Sequence, residues 1–144
     1  MEINWIFFDA GNTLLRMNYR AIARHLASRG HAVTVEAVEE AELRARVRLD
    51  ADLALGVSTE GRSAQDRYTT YLLEGLGLID PREIEAAVSF KRDYNPPAGL
   101  FDCADPGAQA AIREVKAAGL VAGVVSNSNG SARALLDGVG LAAE

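Results

Sequence analysis

Two short stretches carry residues whose types and spacing could do chemistry. In the first, Asp9 closes the apolar run of Ile3, Trp5, Ile6, Phe7 and Phe8 and is followed by Gly11, Asn12 and Thr13. Open α/β sheets bind ligands at the carboxyl ends of their strands, so a carboxylate placed there is the first candidate for a working residue. It could hold magnesium beside a phosphate, or simply accept hydrogen bonds from the next turn. The sequence contains no glycine-rich lysine loop of the P-loop kind. In the second stretch, Leu120 to Val125 leads into Ser126 and Asn127, then Asn129, Gly130 and Ser131. Hydroxyl, amide and free backbone N–H groups ahead of a helix suit an anion such as phosphate, and equally an ordinary strand-to-helix turn.

The elements that must position these groups read as an α/β core interrupted by helices. The run ending at Phe8 is too short for a helix core and reads as a buried parallel strand. Leu120 to Val125, small and partly β-branched, reads as a strand buried on both faces. Between them the apolar spacing is helical. Tyr19, Ile22, Ala23 and Leu26 form one face, closed by Gly30, and Val38, Ala41, Ala45 and Leu49 form another after a cap at Thr34. On that second helix the pairs Glu40–Arg44 and Glu42–Arg46 read as a solvated face.

A third helix is expected to start at Ser63, with Asp66 three residues on, and to place Tyr68, Tyr71, Leu72 and Leu76 on one side, and a fourth is expected at Asp80-Pro81-Arg82-Glu83. Asn95-Pro96-Pro97-Ala98-Gly99 ends the helical region. Residues 17–97 therefore read as a helical unit inserted into a core made of 1–16 and 98–144. Within that core, a helix starting at Asp105-Pro106 buries Ile112 and Val115 and stops at Gly119. A short last helix holds Leu135 and Leu136 and stops at Gly138.

Asp9-Ala10-Gly11-Asn12-Thr13-Leu14 resembles the first motif of the haloacid dehalogenase-like hydrolases, usually Asp-x-Asp-x-Thr. The strand ending in Ser126-Asn127 resembles their second motif, and residues 17–97 resemble their helical cap. The resemblance covers essentially the whole chain and implies a Rossmann-like parallel-sheet core, incomplete as given, with an inserted α-helical cap. It implies that Asp9 is the nucleophile, forming an aspartyl-phosphate that water hydrolyses. Mg2+ would be held by the Asp9 carboxylate and the Gly11 backbone carbonyl, and Ser126 and Asn127 would hold the phosphoryl oxygens. The expected activity is a magnesium-dependent phosphatase acting on a small phosphorylated metabolite, with the cap choosing the leaving group.

Composition sets the outer bounds. Hydrophobic residues make up 49% of the 144 and charged residues 24%, as in ordinary globular domains. A net charge of -5 offers no general attraction to nucleic acid or anionic membranes. Cys103 is the only cysteine, so no internal disulfide can form. His25 and His31 lack the spacing of a zinc site and read as surface residues. The first apolar run is too short for a signal peptide or a membrane span, so a cytoplasmic protein is expected.

Two departures from the family pattern shape the expected chemistry. Gly11 stands where the second aspartate would protonate the leaving oxygen, a service typically worth ~10² to 10⁴ in rate. Leaving groups that need no proton are therefore favoured, such as those of acyl phosphates or halides. The halide case keeps a metal-free 2-haloacid dehalogenase as an alternative. The family's later lysine and acidic motif have no counterpart either, since the only lysines, Lys91 and Lys116, lie elsewhere. The chain is expected to be the first part of a longer protein, weak or inactive alone. A non-catalytic phospho-ligand or protein-binding module is the remaining alternative. Oligomeric state is open.

Overall fold

The computed structural model describes residues 3–54, 56, 62–96, 99–126 and 130–142. In chain order the elements are β1 (Trp5–Asp9), β2 (Leu15–Arg16), α1 (Tyr19–Ser28), α2 (Val35–Ala54), α3 (Arg62–Gly75), α4 (Pro81–Asp93), β3 (Cys103–Ala104), α5 (Ala108–Ala117), β4 (Val121–Val125) and α6 (Ala132–Gly138). This is an α/β chain with a small parallel sheet. It divides into two compact units, one of Met1–Asn18 with Asn95–Glu144 and one of Tyr19–Tyr94.

In the first unit β1 and β4 pair in parallel, in a register that runs from Trp5 opposite Val121 to Asp9 opposite Val125. Phe8 and Ala122 pack on a core made by Ala10, Leu14 and Leu15 with Ile112 of α5 and Leu136 of α6. Only that face of the sheet is covered among the described residues. Ile3, Trp5, Phe7, Val121 and Val125 are exposed, which corrects the expectation of strands buried on both faces. Apolar composition announces a capacity for burial, while two strands with helices on one side can use only half of it.

A second ladder was not legible in the sequence. β2 and β3 pair antiparallel, Leu15 with Ala104 and Arg16 with Cys103, and two residues are too few to show a period. The ladder lies beside the points where the chain leaves and re-enters this unit. Asn18 donates its backbone N–H to the Leu100 carbonyl at 2.7 Å, and its side-chain amide to the Asp102 carboxylate at 3.0 Å. The Asn95 amide reaches the same carboxylate at 3.5 Å.

The second unit is all helical. Thr34 caps α2 as expected, its hydroxyl accepting the Ala37 N–H at 3.1 Å. Asp80 caps α4, accepting the Arg82 N–H at 2.9 Å with Pro81 in the first turn. Two expectations fail here. Glu42 is not on a solvated face but is wholly inaccessible, because positions 38, 41, 42 and 45 form one helical stripe. His25 is not a surface residue, since its ring stacks on Phe90 with centroids 4.2 Å apart and its Nε2 is buried.

The helix expected to begin at Asp105-Pro106 starts at Ala108. The Asp105 carboxylate instead accepts the Gly107 N–H at 2.8 Å and lies 3.4 Å from the Arg16 guanidinium, so it shapes the approach to the helix rather than its first turn.

Candidate active site

Asp9 is the last residue of β1 and its side chain is exposed at the carboxyl end of the parallel pair. One carboxylate oxygen, Oδ1, accepts the N–H of Ala10 at 2.9 Å. That bond holds the carboxylate against its own turn while the residue stays exposed, and a nucleophile must be both held and accessible.

The turn that follows is built to stay rigid. The Ala10 carbonyl accepts from both Leu14 and Leu15, at 3.0 and 2.8 Å, and Asn12 donates to the Leu15 carbonyl at 2.8 Å. Asn12 takes a positive φ of 58°, a conformation that asparagine tolerates better than most residues. Ala10, Leu14 and Leu15 are buried and anchor the turn in the core, which leaves Asn12 and Thr13 exposed above it.

Gly11 is not glycine for want of room. A Cβ at this position would meet nothing within 4 Å, and its φ does not lie in the left-handed region. The absence of a carboxylate there is therefore a chemical difference from Asp-x-Asp-x-Thr and not a steric one.

Because Asp9 is opposite Val125 in the parallel register, the next residue of β4's chain, Ser126, emerges at the same end of the sheet. This register brings the two sequence-identified stretches together. Asn127 lies outside the described residues. Ser126 also lines a cavity of about 600 Å3 under the helix-covered face, with Phe8, Ile112 and Leu136 inside and Lys116 and Arg133 among its charged residues. Asp9 does not line this cavity, so the space and the candidate nucleophile are separate features.

Magnesium prefers six oxygen ligands and keeps several as water. At this strand end the described residues supply the Asp9 carboxylate and the Gly11 carbonyl, and no group of three or more His, Cys, Asp or Glu gathers among the described residues. These two groups could hold the ion only with water and a substrate phosphate completing the six.

The two lysines occupy other places. Lys116 is near the end of α5 and exposed. Lys91 is on α4, its ammonium 5.5 Å from the centre of the Tyr68 ring. Burial pushes the Lys91 pKa down to about 8, partly offset by Asp66.

The fold is similar to that of a dehalogenase crystal structure, with a TM-score of 0.53 and 20% sequence identity. The likeness covers 96% of this chain and 57% of that one, so this chain spans little more than half the length of the dehalogenase. At such identity the similarity is one of fold. No protein-family model and no curated protein matches the sequence. No helix among the described residues is long and apolar enough to cross a membrane.

Proposed function

We propose that this chain is a hydrolase of the haloacid dehalogenase-like kind, in which Asp9 attacks the substrate and the leaving group departs without being protonated. The observation that carries this reading is the exposed Asp9 carboxylate, held by one oxygen at the end of β1, beside an open Gly11 that can give no proton. The fold likeness to a dehalogenase and the order of the two motifs support it.

Carbon–halogen displacement on a small haloacid uses these residues most directly. A carboxylate oxygen of Asp9 bonds to the carbon that bears the halogen, the carbon–halogen bond breaks, and halide leaves with the electron pair. Water then adds to the carboxyl carbon of the Asp9 ester. The hydroxy acid departs, Asp9 is restored, and a proton goes to solvent. Neither half needs an acid at Gly11, and the first needs no metal.

A second reading, phosphoryl transfer from an acyl phosphate of a small metabolite, is favoured by Ser126. Ser126 follows β4 at the same end of the sheet as Asp9, and its hydroxyl would hold a phosphoryl oxygen, with Asn127 as a further partner. This reading requires Mg2+ on Asp9 and the Gly11 carbonyl with ligands beyond them. The helices of Tyr19–Tyr94 would act as a cap in either case.

Single turnover in 18O-labelled water separates the readings. A carbon ester is cleaved at the Asp9 carboxyl carbon, so the label enters Asp9 and is found in its peptide by mass spectrometry. An aspartyl-phosphate is cleaved at phosphorus, so the label enters inorganic phosphate and chelation stops the reaction. Asp9→Asn removes either signal. If neither a 2-haloacid nor an acyl phosphate forms an Asp9 adduct, the hydrolase reading is wrong and a binding role replaces it.

A further inference from the structure

The chain leaves the first unit once and returns once, and one carboxylate meets both passages. Asn18 is the last residue before α1, and Asn95 follows Tyr94, the C-terminal cap of α4. Asp102 accepts the Asn18 side-chain amide on Oδ1 at 3.0 Å and the Asn95 side-chain amide on Oδ2 at 3.5 Å. Asn18, Asn95 and Asp102 all belong to the same unit, although Asn18 and Asp102 are 84 positions apart.

The two bonds differ in kind. On the outgoing side Asn18 is pinned twice, because its backbone N–H also donates to the Leu100 carbonyl at 2.7 Å, continuing the pairing of Leu15 with Ala104 and Arg16 with Cys103. Its bond to Asp102 is partly buried. On the returning side the bond is exposed and at the long end for a hydrogen bond. The backbone there is a turn that asparagine and glycine adopt at least cost. Asn95 has a φ of 40°, and Gly99, with a φ of 66°, donates its N–H to the Asn95 carbonyl at 2.9 Å.

We propose that Asp102 is the clamp of a hinge, in which Asn18–Asp102 is the fixed side and Asn95–Asp102 is the side that opens. The helices of Tyr19–Tyr94 then hang from one joint with a releasable strap rather than from two independent connections. A carboxylate suits this place because it offers an oxygen to each passage and strengthens both bonds by its charge. Hinge motion is absorbed by a few residues in loops or at the ends of elements, which is where Asn95 and Gly99 stand. The proposal concerns how the helical unit is hung and does not depend on what Asp9 does.

The test is a role swap in the 144-residue chain, read by amide hydrogen exchange and residual dipolar couplings. Asn95→Asp keeps a residue type that tolerates positive φ but sets a second carboxylate against Asp102. Exchange at the Gly99 N–H should rise at least tenfold while that at the Asn18 N–H stays within threefold, and the alignment of the helical unit should weaken relative to that of the other unit. Adding Asp102→Asn supplies an amide that donates to the new carboxylate while its oxygen still accepts from Asn18, so all three readings should return toward the parent. Asp102→Ala removes both ties and should raise exchange at Asn18 and Gly99 together. Unchanged exchange and alignment in Asn95→Asp, equal loosening at Asn18 and Gly99 in that variant, or no recovery in the double variant would overturn the proposal.

Discussion

Arg46 grips Glu42 from one turn further along α2, its Nε and Nη2 each 2.6 Å from a different carboxylate oxygen. The carboxylate is wholly inaccessible. Tyr19 donates its hydroxyl to Oε2 at 3.1 Å, and Tyr68 donates to Oε1. Three of the helical unit's elements, α1, α2 and α3, thus converge on one buried anion. Its charge is tolerated because every strong donor around it is aimed at the two oxygens.

Removing the cation should cost more than removing the pair. Arg46→Ala leaves Glu42 buried with only phenolic partners, and about 3 kcal/mol of stability should be lost, at the lower end for a broken buried pair because Arg46 is partly exposed. The double change Glu42→Leu with Arg46→Leu should cost clearly less than Arg46→Ala alone. Urea unfolding of the three chains measures this. Equal or greater loss in the double variant would mean that the pair itself, and not the stranded charge, supplies the stability.

Acid should weaken the helical unit in two stages. Burial, then the nearby Arg29 charge, lowers the pKa of His25, with Glu83 acting the other way. A histidine whose folded pKa lies below its ordinary 6.5 is stabilising while neutral, so its contribution is lost as pH falls below that value. The Arg29 hydrogen bond, assisted by His31, depresses Glu83 to about 2. Its contribution is present above 4.5 and lost as pH falls toward 2. Melting temperatures across pH should therefore lose the upper stage in His25→Phe and the lower stage in Glu83→Gln. Identical pH curves for all three proteins would contradict both assignments.

What could be read in the sequence followed from patterns that extend over several residues or from caps that act locally. The stripe of Tyr19, Ile22, Ala23 and Leu26 is buried, and the Asp80-Pro81 start is where α4 begins. What escaped depends on partners distant in the chain. Glu42 was misread because a charge four residues from another suggests a surface pair, yet its place in the 38, 41, 42, 45 stripe was already visible. The two phenols that pay for its burial come from α1 and α3, and only the fold reveals them. At the site, Asp9 and Ser126 were each visible as strand ends. Their common end of the sheet rests on a register that no local pattern encodes.

The turn after Asp9 should be sensitive to what stands at Asn12. Its φ of 58° costs a branched side chain about 1–2 kcal/mol and costs glycine nothing sterically. Asn12→Val should therefore lower stability by that amount, while Asn12→Gly should stay within about 0.5 kcal/mol of the parent. Chemical unfolding reads both. Equal losses in the two variants would show that the Asn12 side chain, and not its backbone, holds the turn.

Installing an acid beside Asp9, the proposed nucleophile, discriminates between chemistries that a loss of activity would confuse. The Cβ that Gly11→Asp introduces meets nothing within 4 Å. For a substrate that releases halide the new carboxyl has no proton to deliver, and the rate of halide release should change by less than about threefold. For an alkyl phosphate the same change supplies the missing acid, and hydrolysis should rise by ~10² to 10⁴ if that acid is what limits the rate. Parallel assays of halide and phosphate release on the parent chain, Gly11→Asp and Asp9→Asn give the comparison. A large rise in halide release would refute departure without a proton. A rise confined to alkyl phosphate that vanishes on further changing Asp9 to Asn would move the assignment from carbon–halogen displacement to phosphoryl transfer.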